Sequence, residues 1–213
     1  ILGKKIKDKE GNVMGKLNHY ITNWLTTNLN SLIMDRSSII DSPIQKEGII
    51  YYGTFRKWRS DHFAHHLQEG ATCSSSKKHW KKFDAINCKC EMRNKLSWEQ
   101  GKEDLRAYKY SLYIEDIHTH DNFAFLANRY YEALMCDVVV LFDHHCKSTI
   151  KKSKYIIPDE FIIPEDSNIA SYSATLDYNK MLEIQKQNIE IAFQDKKKCI
   201  DEVKNFIDFA LGF

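Results

Sequence analysis

The stretch HDNFAFLANRYYEALMCDVVVLFD, from His120 to Asp143, decides the fold. From Asp121 onward its apolar residues recur at steps of three and four, which predicts a helix with one apolar face. Asp121 and Asn122 are residue types that favour a helix N-cap. The run at 138–142 is β-branched and apolar, which predicts a strand buried on both faces. A helix that leads into a short buried strand is the repeating unit of an α/β sheet.

Two charged residues of this stretch are candidates for ligand binding. Arg129 and Glu132 are three residues apart, so they share one surface of the predicted helix. Ligands of open α/β sheets bind beyond the carboxyl ends of the strands. The alternative is a surface ion pair, which contributes only roughly 0.2–0.5 kcal/mol to stability. A second set of polar residues is needed to choose between the two.

That second set is GTFRKWRSD, residues 53–61, which follows a strand predicted at 48–52. Its leading glycine lets a phosphate approach the backbone closely, and Thr54 offers a hydroxyl. Amide groups at the start of the following predicted helix favour an anion. Arg56 and Arg59 add charge-assisted contacts to phosphate oxygens. The loop matches neither the Walker nor the GxGxxG pattern, and a solvated basic turn is the alternative.

The two sets together predict one nucleotide site. Both follow a predicted strand, and both are predicted to open a helix. The loop at 53–61 and Arg129 offer hydrogen-bond donors to phosphates, while the Glu132 carboxylate accepts hydrogen bonds from the two hydroxyls of a ribose. A nucleoside diphosphate requires both functions.

The rest of the chain extends the α/β pattern. A strand is predicted at 110–114, a short edge strand plus loop at 156–163, and helices at 176–213. The order of strands and helices is that of a doubly wound parallel sheet, the fold class we predict.

Composition narrows the class of protein. The chain has 213 residues, of which 43% are hydrophobic and 28% charged, and its net charge is +2. A charge this small does not drive nucleic-acid binding globally, so any DNA contact must come from a local patch. No apolar run approaches the roughly 18 residues of a membrane span, and no signal peptide is visible. The sequence therefore predicts a cytoplasmic protein with reduced cysteines and no membrane partner.

The segments IIYYGTFR and HDNFAFLANRYYEALMCDVVVLFD resemble the C-terminal domain of the DNA β-glucosyltransferases of T-even phages. The resemblance covers roughly residues 46–165. It implies the GT-B fold, in which two Rossmann-like domains face each other across a cleft and the C-terminal one binds UDP-glucose. The expected activity is transfer of a sugar from a UDP-sugar donor, by inverting displacement, to hydroxymethylated pyrimidines in phage DNA. A host-cell cytoplasmic location follows.

The resemblance also implies roles for individual residues. It places Gly53, Thr54, Arg56, Arg59 and Arg129 at the diphosphate and Glu132 at the ribose. Asp116 matches an aspartate at the sugar or metal end of the site, where a Mg²⁺ or Mn²⁺ ion would bind. The uracil would lie near residues 94–96, held largely by backbone.

The sequence departs from the family pattern in three ways. Arg59 lies one residue closer to Arg56 than the family places its second arginine, and the loop from Asp121 to Arg129 is two residues longer. The resemblance also leads us to expect that the family's N-terminal domain, which supplies the catalytic base and much of the DNA surface, has no counterpart in these residues. We therefore expect a linker or remnant at 1–45, a Rossmann-like domain at 46–170 and C-terminal helices at 171–213. The catalytic base is expected outside this chain.

Other functions stay open from the residues alone. A group of histidines and aspartates has the ligand types of a metal-dependent hydrolase: His118, His120, His144 and His145 with Asp116, Asp121 and Asp143. A nucleotide-binding or regulatory module without catalysis is also possible. Trp80 among Lys77, Lys78, Lys81 and Lys82 has the composition of a nucleic-acid surface. The acceptor could equally be a glycan, a small molecule or a protein.

Overall fold

The structure is a computed structural model that describes residues 5–7, 13–16, 45–96, 101–115, 126–152 and 156–192, together with 201, 204–205 and 208. Strands β1 (Lys5–Lys7) and β2 (Val13–Lys16) form a separate antiparallel pair. The main sheet contains β3 (Ile49–Tyr52), β4 (Ala71–Ser74), β5 (Glu91–Arg93), β6 (Tyr110–Tyr113) and β7 (Val139–Phe142). The described helices are α1 (Ser60–His66), α2 (Lys77–Asp84), α3 (Gly101–Arg106), α4 (Asn128–Met135), α5 (Lys147–Lys152), α6 (Ile169–Ser173) and α7 (Tyr178–Ala192).

The main sheet is parallel throughout, with the strand order β5-β4-β3-β6-β7. The chain runs outward from β3 to β5, then crosses back to place β6 on the other side of β3. Because parallel crossovers are right-handed, α1 and α2 cover one face of the sheet while α3 and α4 cover the other. All four residues of β6 and of β7 are buried. The predicted doubly wound α/β fold is confirmed.

The outer strand β7 is held by a side chain as well as by β6. Gln185 of α7 is buried; its Oε1 accepts from the Val140 amide at 2.8 Å, and its Nε2 donates to the Val138 carbonyl at 2.9 Å. An amide side chain thus supplies the hydrogen bonds that a further strand would make, which protects an otherwise open sheet edge. Helix α7 is thereby fixed against the sheet.

Three predicted elements differ in the structure, either in the residue at which they begin or in their type. The helix predicted from Asp121 begins only at Asn128, since Ala127 is its extended N-cap and donates its amide to the Tyr113 hydroxyl at 2.7 Å. Residues 116–125, which include both predicted capping residues, lie outside the described part of the chain. The segment at 156–163, predicted as a short edge strand plus loop, lies at the edge of the sheet, but Pro158 opens a 3-10 turn and a single bridge, Phe142 to Ile162, replaces a full strand. Helix α1 starts after a 3-10 turn, at Ser60, so the residues directly after Gly53 are not a helix start.

Two further predictions have structural outcomes. The five described cysteines, at positions 73, 88, 90, 136 and 146, are free thiols, as expected. Among the described residues, no helix combines the length and the apolar character that crossing a bilayer requires.

Candidate nucleotide-binding site

A cleft of about 790 Å³ opens at the carboxyl ends of β3 and β4, beside the start of α4. Its position is where doubly wound sheets bind ligands, because the strand order reverses at β3 and the loops on either side diverge. The described lining residues are Tyr52, Gly53, Thr54, Ser74, Ser76, Lys78, His79, Lys95, Leu96, Ala127, Arg129 and Glu132.

Four of the six predicted donor-binding residues meet in this cleft. Gly53 and Thr54 come from the end of β3, while Arg129 and Glu132 come from the first turns of α4. The Tyr52 hydroxyl donates to the Arg129 carbonyl at 2.6 Å, which ties the start of α4 to the end of β3. The two sequence segments are 77 residues apart at this bond, and the fold brings them together.

Arg129 is held in place by a buried ionic network. Its guanidinium donates to the Glu115 carboxylate and, at 2.6 Å, to the Ile114 carbonyl. It also lies over the Tyr113 ring, 4.6 Å from the centroid. Glu115, which is 4% exposed, accepts a second guanidinium, that of Arg59, at 2.9 Å. One carboxylate shared by two guanidinium groups leaves a net positive charge, which favours an anion nearby.

Glu132 has an unusual protonation equilibrium. Burial raises the pKa of its carboxyl to about 7, against the opposing effects of a hydrogen bond with the Tyr52 hydroxyl and the charge of Arg129. A carboxyl group that lies in a cleft and has a pKa near 7 is characteristic of functional sites. Its ionised form is the one whose two oxygens can both accept hydrogen bonds from hydroxyl groups.

The structure places the other two predicted arginines away from the cleft lining. Arg56 is exposed, and its guanidinium lies 5.7 Å from the centroid of the exposed Trp58 ring. Arg59 is buried under the loop and bonded to Glu115. The 3-10 turn at Lys57–Arg59 turns Arg59 inward, which sequence spacing alone does not reveal.

Several lining residues were not predicted as donor contacts. Lys78 and Lys95 add two cations to Arg129, against the single carboxyl of Glu132, so the lining is electropositive. From the sequence, Lys78 belongs to a basic face, with a nucleic-acid surface as the alternative, whereas the first turn of α2 brings it to the cleft. Leu96 donates its amide to the Ser74 hydroxyl at 3.1 Å, which in turn donates to the Asn94 carbonyl at 2.9 Å. This pair of bonds fixes residues 94–96, the segment predicted to meet the uracil.

Solved structures share this architecture. T4 phage β-glucosyltransferase in complex with UDP and Mn²⁺ is 20% identical and superposes with a TM-score of 0.65, over 84% of this chain and 54% of that chain. The same enzyme in complex with UDP-glucose is 19% identical, with a TM-score of 0.66, over 84% and 55% of the two chains. No family model matches the sequence, and no curated protein sequence matches it.

The fold is that of phage β-glucosyltransferase. The Rossmann-like parallel sheet, predicted from the resemblance as one half of a GT-B fold, is confirmed for the described residues. The chain spans about half the length of the phage β-glucosyltransferase structures that it matches. One of those structures carries UDP and Mn²⁺, and another carries UDP-glucose.

The predicted metal ligands are only partly described. Asp116, His118 and His120 lie outside the described residues. His144 and His145 follow β7, next to Asp143, as expected from the sequence. Their neighbours are His62 and His66 of α1, whose rings approach Asp143 across the carboxyl edge of the sheet. Sequence spacing gave no sign of this meeting, because 77 residues or more separate α1 from Asp143.

Gly53 has no room for a side chain. A Cβ at this position would lie 2.8 Å from the Tyr51 hydroxyl oxygen, which is buried beneath the loop. We expect Gly53→Ala to lower the free energy of unfolding by about 1–3 kcal/mol, because the buried ring must move. Urea denaturation measures this change.

The Tyr51 hydroxyl provides the control for this substitution. It finds no hydrogen-bond partner among the described residues, so Tyr51→Phe alone should be nearly neutral. Combined with Gly53→Ala, it should recover part of the lost stability. Equal costs for Gly53→Ala with and without the Tyr51 hydroxyl would contradict this account of the glycine.

Proposed function

We propose that the chain is the donor-binding part of a glycosyltransferase that takes a UDP-sugar. The observation that carries the proposal is the convergence of the Gly53–Thr54 loop, Arg129 and Glu132 in one electropositive cleft at the switch point of the sheet. The likeness to a phage enzyme whose structures hold UDP and UDP-glucose supports it. Calorimetric titration with UDP-glucose tests it directly.

The diphosphate is assigned to the end of β3. The backbone of Gly53 admits a close approach, Thr54 offers a hydroxyl, and Arg129 supplies a guanidinium held by Glu115. Arg56 is close along the chain and exposed, so rotation of its side chain away from Trp58 would bring a further cation to the phosphates. Arg59 has a positioning role here, since it shares the Glu115 carboxylate that orients Arg129.

The nucleoside is assigned to the two ends of the cleft. The Glu132 carboxylate accepts from the ribose hydroxyls, as its place beside Tyr52 and Arg129 allows. The uracil lies against residues 94–96, where the side chains of Lys95 and Leu96 line the cleft. The Leu96 amide already donates to Ser74, so it is not free for the base.

The reaction follows from the charge on the leaving group. In an inverting displacement, an acceptor oxygen attacks the anomeric carbon as the bond to the diphosphate breaks. Negative charge grows on the departing diphosphate, and preorganised cations at Arg129 and Lys78 stabilise it. The base that deprotonates the acceptor is proposed to come from a facing domain, as the resemblance implies, because the described residues Gly53, Thr54, Arg129 and Glu132 are all assigned to the donor.

A divalent ion in the cleft is not supported by the described lining residues. They offer a single carboxyl, that of Glu132, among three cationic side chains. Mg²⁺ and Mn²⁺ prefer several oxygen ligands. Asp116, the residue that the resemblance implies for a metal, lies outside the described residues. The proposed displacement therefore relies on the cationic side chains.

The acceptor is proposed to be hydroxymethylated DNA. Helix α2 lies next to the cleft and carries exposed lysines at positions 77, 78, 81 and 82. Such a basic surface suits a phosphate backbone better than a neutral glycan or small molecule. A phage DNA-modifying role is consistent with the enzyme whose fold this chain shares.

The donor affinity should depend on pH through Glu132. Its pKa of about 7 in the free protein means that it must lose a proton before it binds the ribose as a carboxylate. We expect UDP-glucose affinity to be constant above about pH 8 and to fall by about tenfold per pH unit below 7. UDP-glucose is the suitable ligand because, unlike UDP, it has no terminal phosphate that titrates near pH 6. Calorimetry between pH 6 and 8 measures the profile.

Glu132→Gln is the matched control for this profile. The amide cannot ionise, so the variant should bind more weakly at pH 8 and show little pH dependence. A wild-type profile that is flat between pH 6 and 8 would rule out the assigned role of Glu132.

A further inference from the structure

A cluster of histidines surrounds Asp143, at the carboxyl end of β7 and away from the residues that line the nucleotide cleft. The Nδ1 atoms of His62 and His145 each lie 3.0 Å from a carboxylate oxygen of Asp143. One potential metal-ligand atom from each of His62, Asp143 and His145 lies within 4.8 Å of the other two. Helix α1 contributes His62, and the 3-10 turn His144–Cys146 contributes His145.

We propose that His62, Asp143 and His145 form a binding site for a divalent transition-metal ion, with Zn²⁺ as the best match. Two imidazoles and one carboxylate are ligands that Zn²⁺ accepts readily. Mg²⁺ and Ca²⁺ prefer oxygen ligands and would bind poorly. The site is separate from the UDP-sugar cleft and does not depend on the proposed transferase function.

The spacing of the donor atoms suits such an ion. Zinc bonds of about 2.0–2.1 Å place neighbouring ligand atoms of a tetrahedron about 3.3 Å apart. The two N···O distances of 3.0 Å, from His62 to Oδ2 and from His145 to Oδ1 of Asp143, are close to this value. The rings of His62 and His145 are perpendicular, with centroids 4.4 Å apart, and the Nδ1 atom of each contacts the Asp143 carboxylate.

Neighbouring groups hold the Asp143 carboxylate in a fixed orientation. His66 is fully buried, and its Nε2 lies 2.8 Å from the carboxylate oxygen that His62 also contacts. The His145 amide donates to the other oxygen at 2.9 Å, so that Asp143 is oriented from two sides. Partners of this kind orient ligands in known metal sites.

The site is also accessible from solvent. The Asp143 side chain is 2% exposed, whereas those of His62 and His145 are 20% and 53% exposed. An ion can therefore reach the histidines directly and then meet a carboxylate that is already fixed. Three protein ligands leave a fourth position for water.

Metal binding would join two distant parts of the chain. His62 belongs to α1 and Asp143 to the end of β7, 81 residues later. Because the folded state alone holds these ligands together, a bound ion stabilises it. Zn²⁺ should therefore raise the melting temperature of the wild-type protein.

Titration of the full chain with Zn²⁺ and Co²⁺ tests the proposal. We expect one site per chain, whose Co²⁺ absorption lacks the charge-transfer band of thiolate ligation. His145→Ala and His62→Ala should each weaken binding at least tenfold, since even outer partners of metal ligands contribute about 10- to 100-fold. Because His145 is largely exposed, its removal should leave the fold intact.

His65→Ala is the matched control. His65 is an exposed histidine of the same helix, and its Nε2 contacts the Ser167 carbonyl at 3.0 Å instead of Asp143. This variant should bind Zn²⁺ as the wild type does. Absence of binding to the wild type, equal binding by His145→Ala, or a thiolate band in the Co²⁺ spectrum would overturn the proposal and leave the histidines as hydrogen-bond donors to Asp143.

Discussion

Arg129→Met is expected to weaken UDP binding about 30- to 150-fold. Arg129 is the cleft-lining guanidinium, and charge-assisted hydrogen bonds to phosphate contribute about 2–3 kcal/mol. Methionine keeps the apolar length of the side chain, so packing over the Tyr113 ring is largely preserved. Calorimetric titration with UDP measures the loss of affinity.

Arg59→Met is the matched control for this substitution. Arg59 and Arg129 both donate to Glu115, so each variant removes one of the two guanidinium groups from the same carboxylate. The two variants should lose similar stability in urea. Only Arg129→Met should show the large loss of UDP affinity, because Arg59 does not line the cleft. Equal losses of affinity would mean that Arg129 acts only by supporting the fold.

Glu115→Gln is expected to lower the free energy of unfolding by about 3–5 kcal/mol. The substitution leaves two largely buried guanidinium groups, those of Arg59 and Arg129, without their shared counter-charge. Removal of one member of a buried ionic group is costly because the remaining charge stays desolvated. Urea denaturation measures the change.

Glu91→Gln is the control, because it removes a carboxylate from an exposed ion pair. Glu91 pairs with Arg93 at 2.9 Å, but both side chains are more than half exposed. An exposed pair contributes at most about 1 kcal/mol, so this variant should be nearly as stable as the wild type. If Glu115→Gln costs no more than Glu91→Gln, Glu115 does not organise the two arginines.

Sequence reasoning predicted the parts of the fold that have a strong local pattern. The apolar run that became β7 and the strand that became β3 were both recognised, because consecutive apolar or β-branched residues have few alternatives. Strand β4, with the sequence ATCS, was missed. It is fully buried in the centre of the sheet, yet its small and polar residues carry no hydrophobic periodicity. Only its position between β3 and β5 makes it a strand.

In the candidate site, too, residues next to elements with a local sequence pattern were predicted, and contacts made by tertiary packing were not. Gly53 and Thr54 were predicted because they directly follow a predicted strand, and Arg129 and Glu132 because they share one surface of a predicted helix. The partners that tune them were not predicted. Glu115 joins two arginines that are 70 positions apart in the chain, and Tyr52 meets the start of α4 only after the sheet has formed. Such contacts are set by tertiary packing, which leaves no local pattern in the sequence.

The inward turn of Arg59 has a similar cause. A basic residue shortly after a strand is ordinarily exposed, and sequence spacing placed it at the phosphates. The short 3-10 turn before α1 rotates it toward the sheet, where Glu115 compensates its charge. Arg129 shares this partner but lines the cleft, so the position of each side chain, and not its partner, separates the roles of the two arginines.

Titration of the full chain with UDP-glucose, in parallel with its Glu132→Ala variant, tests the central claim most directly. We expect one UDP-glucose molecule to bind per wild-type chain, UDP to compete for the same site, and Glu132→Ala to bind much more weakly at pH 8. Absence of binding by both UDP and UDP-glucose, or unchanged affinity in Glu132→Ala, would contradict the assignment of this cleft to a nucleotide sugar.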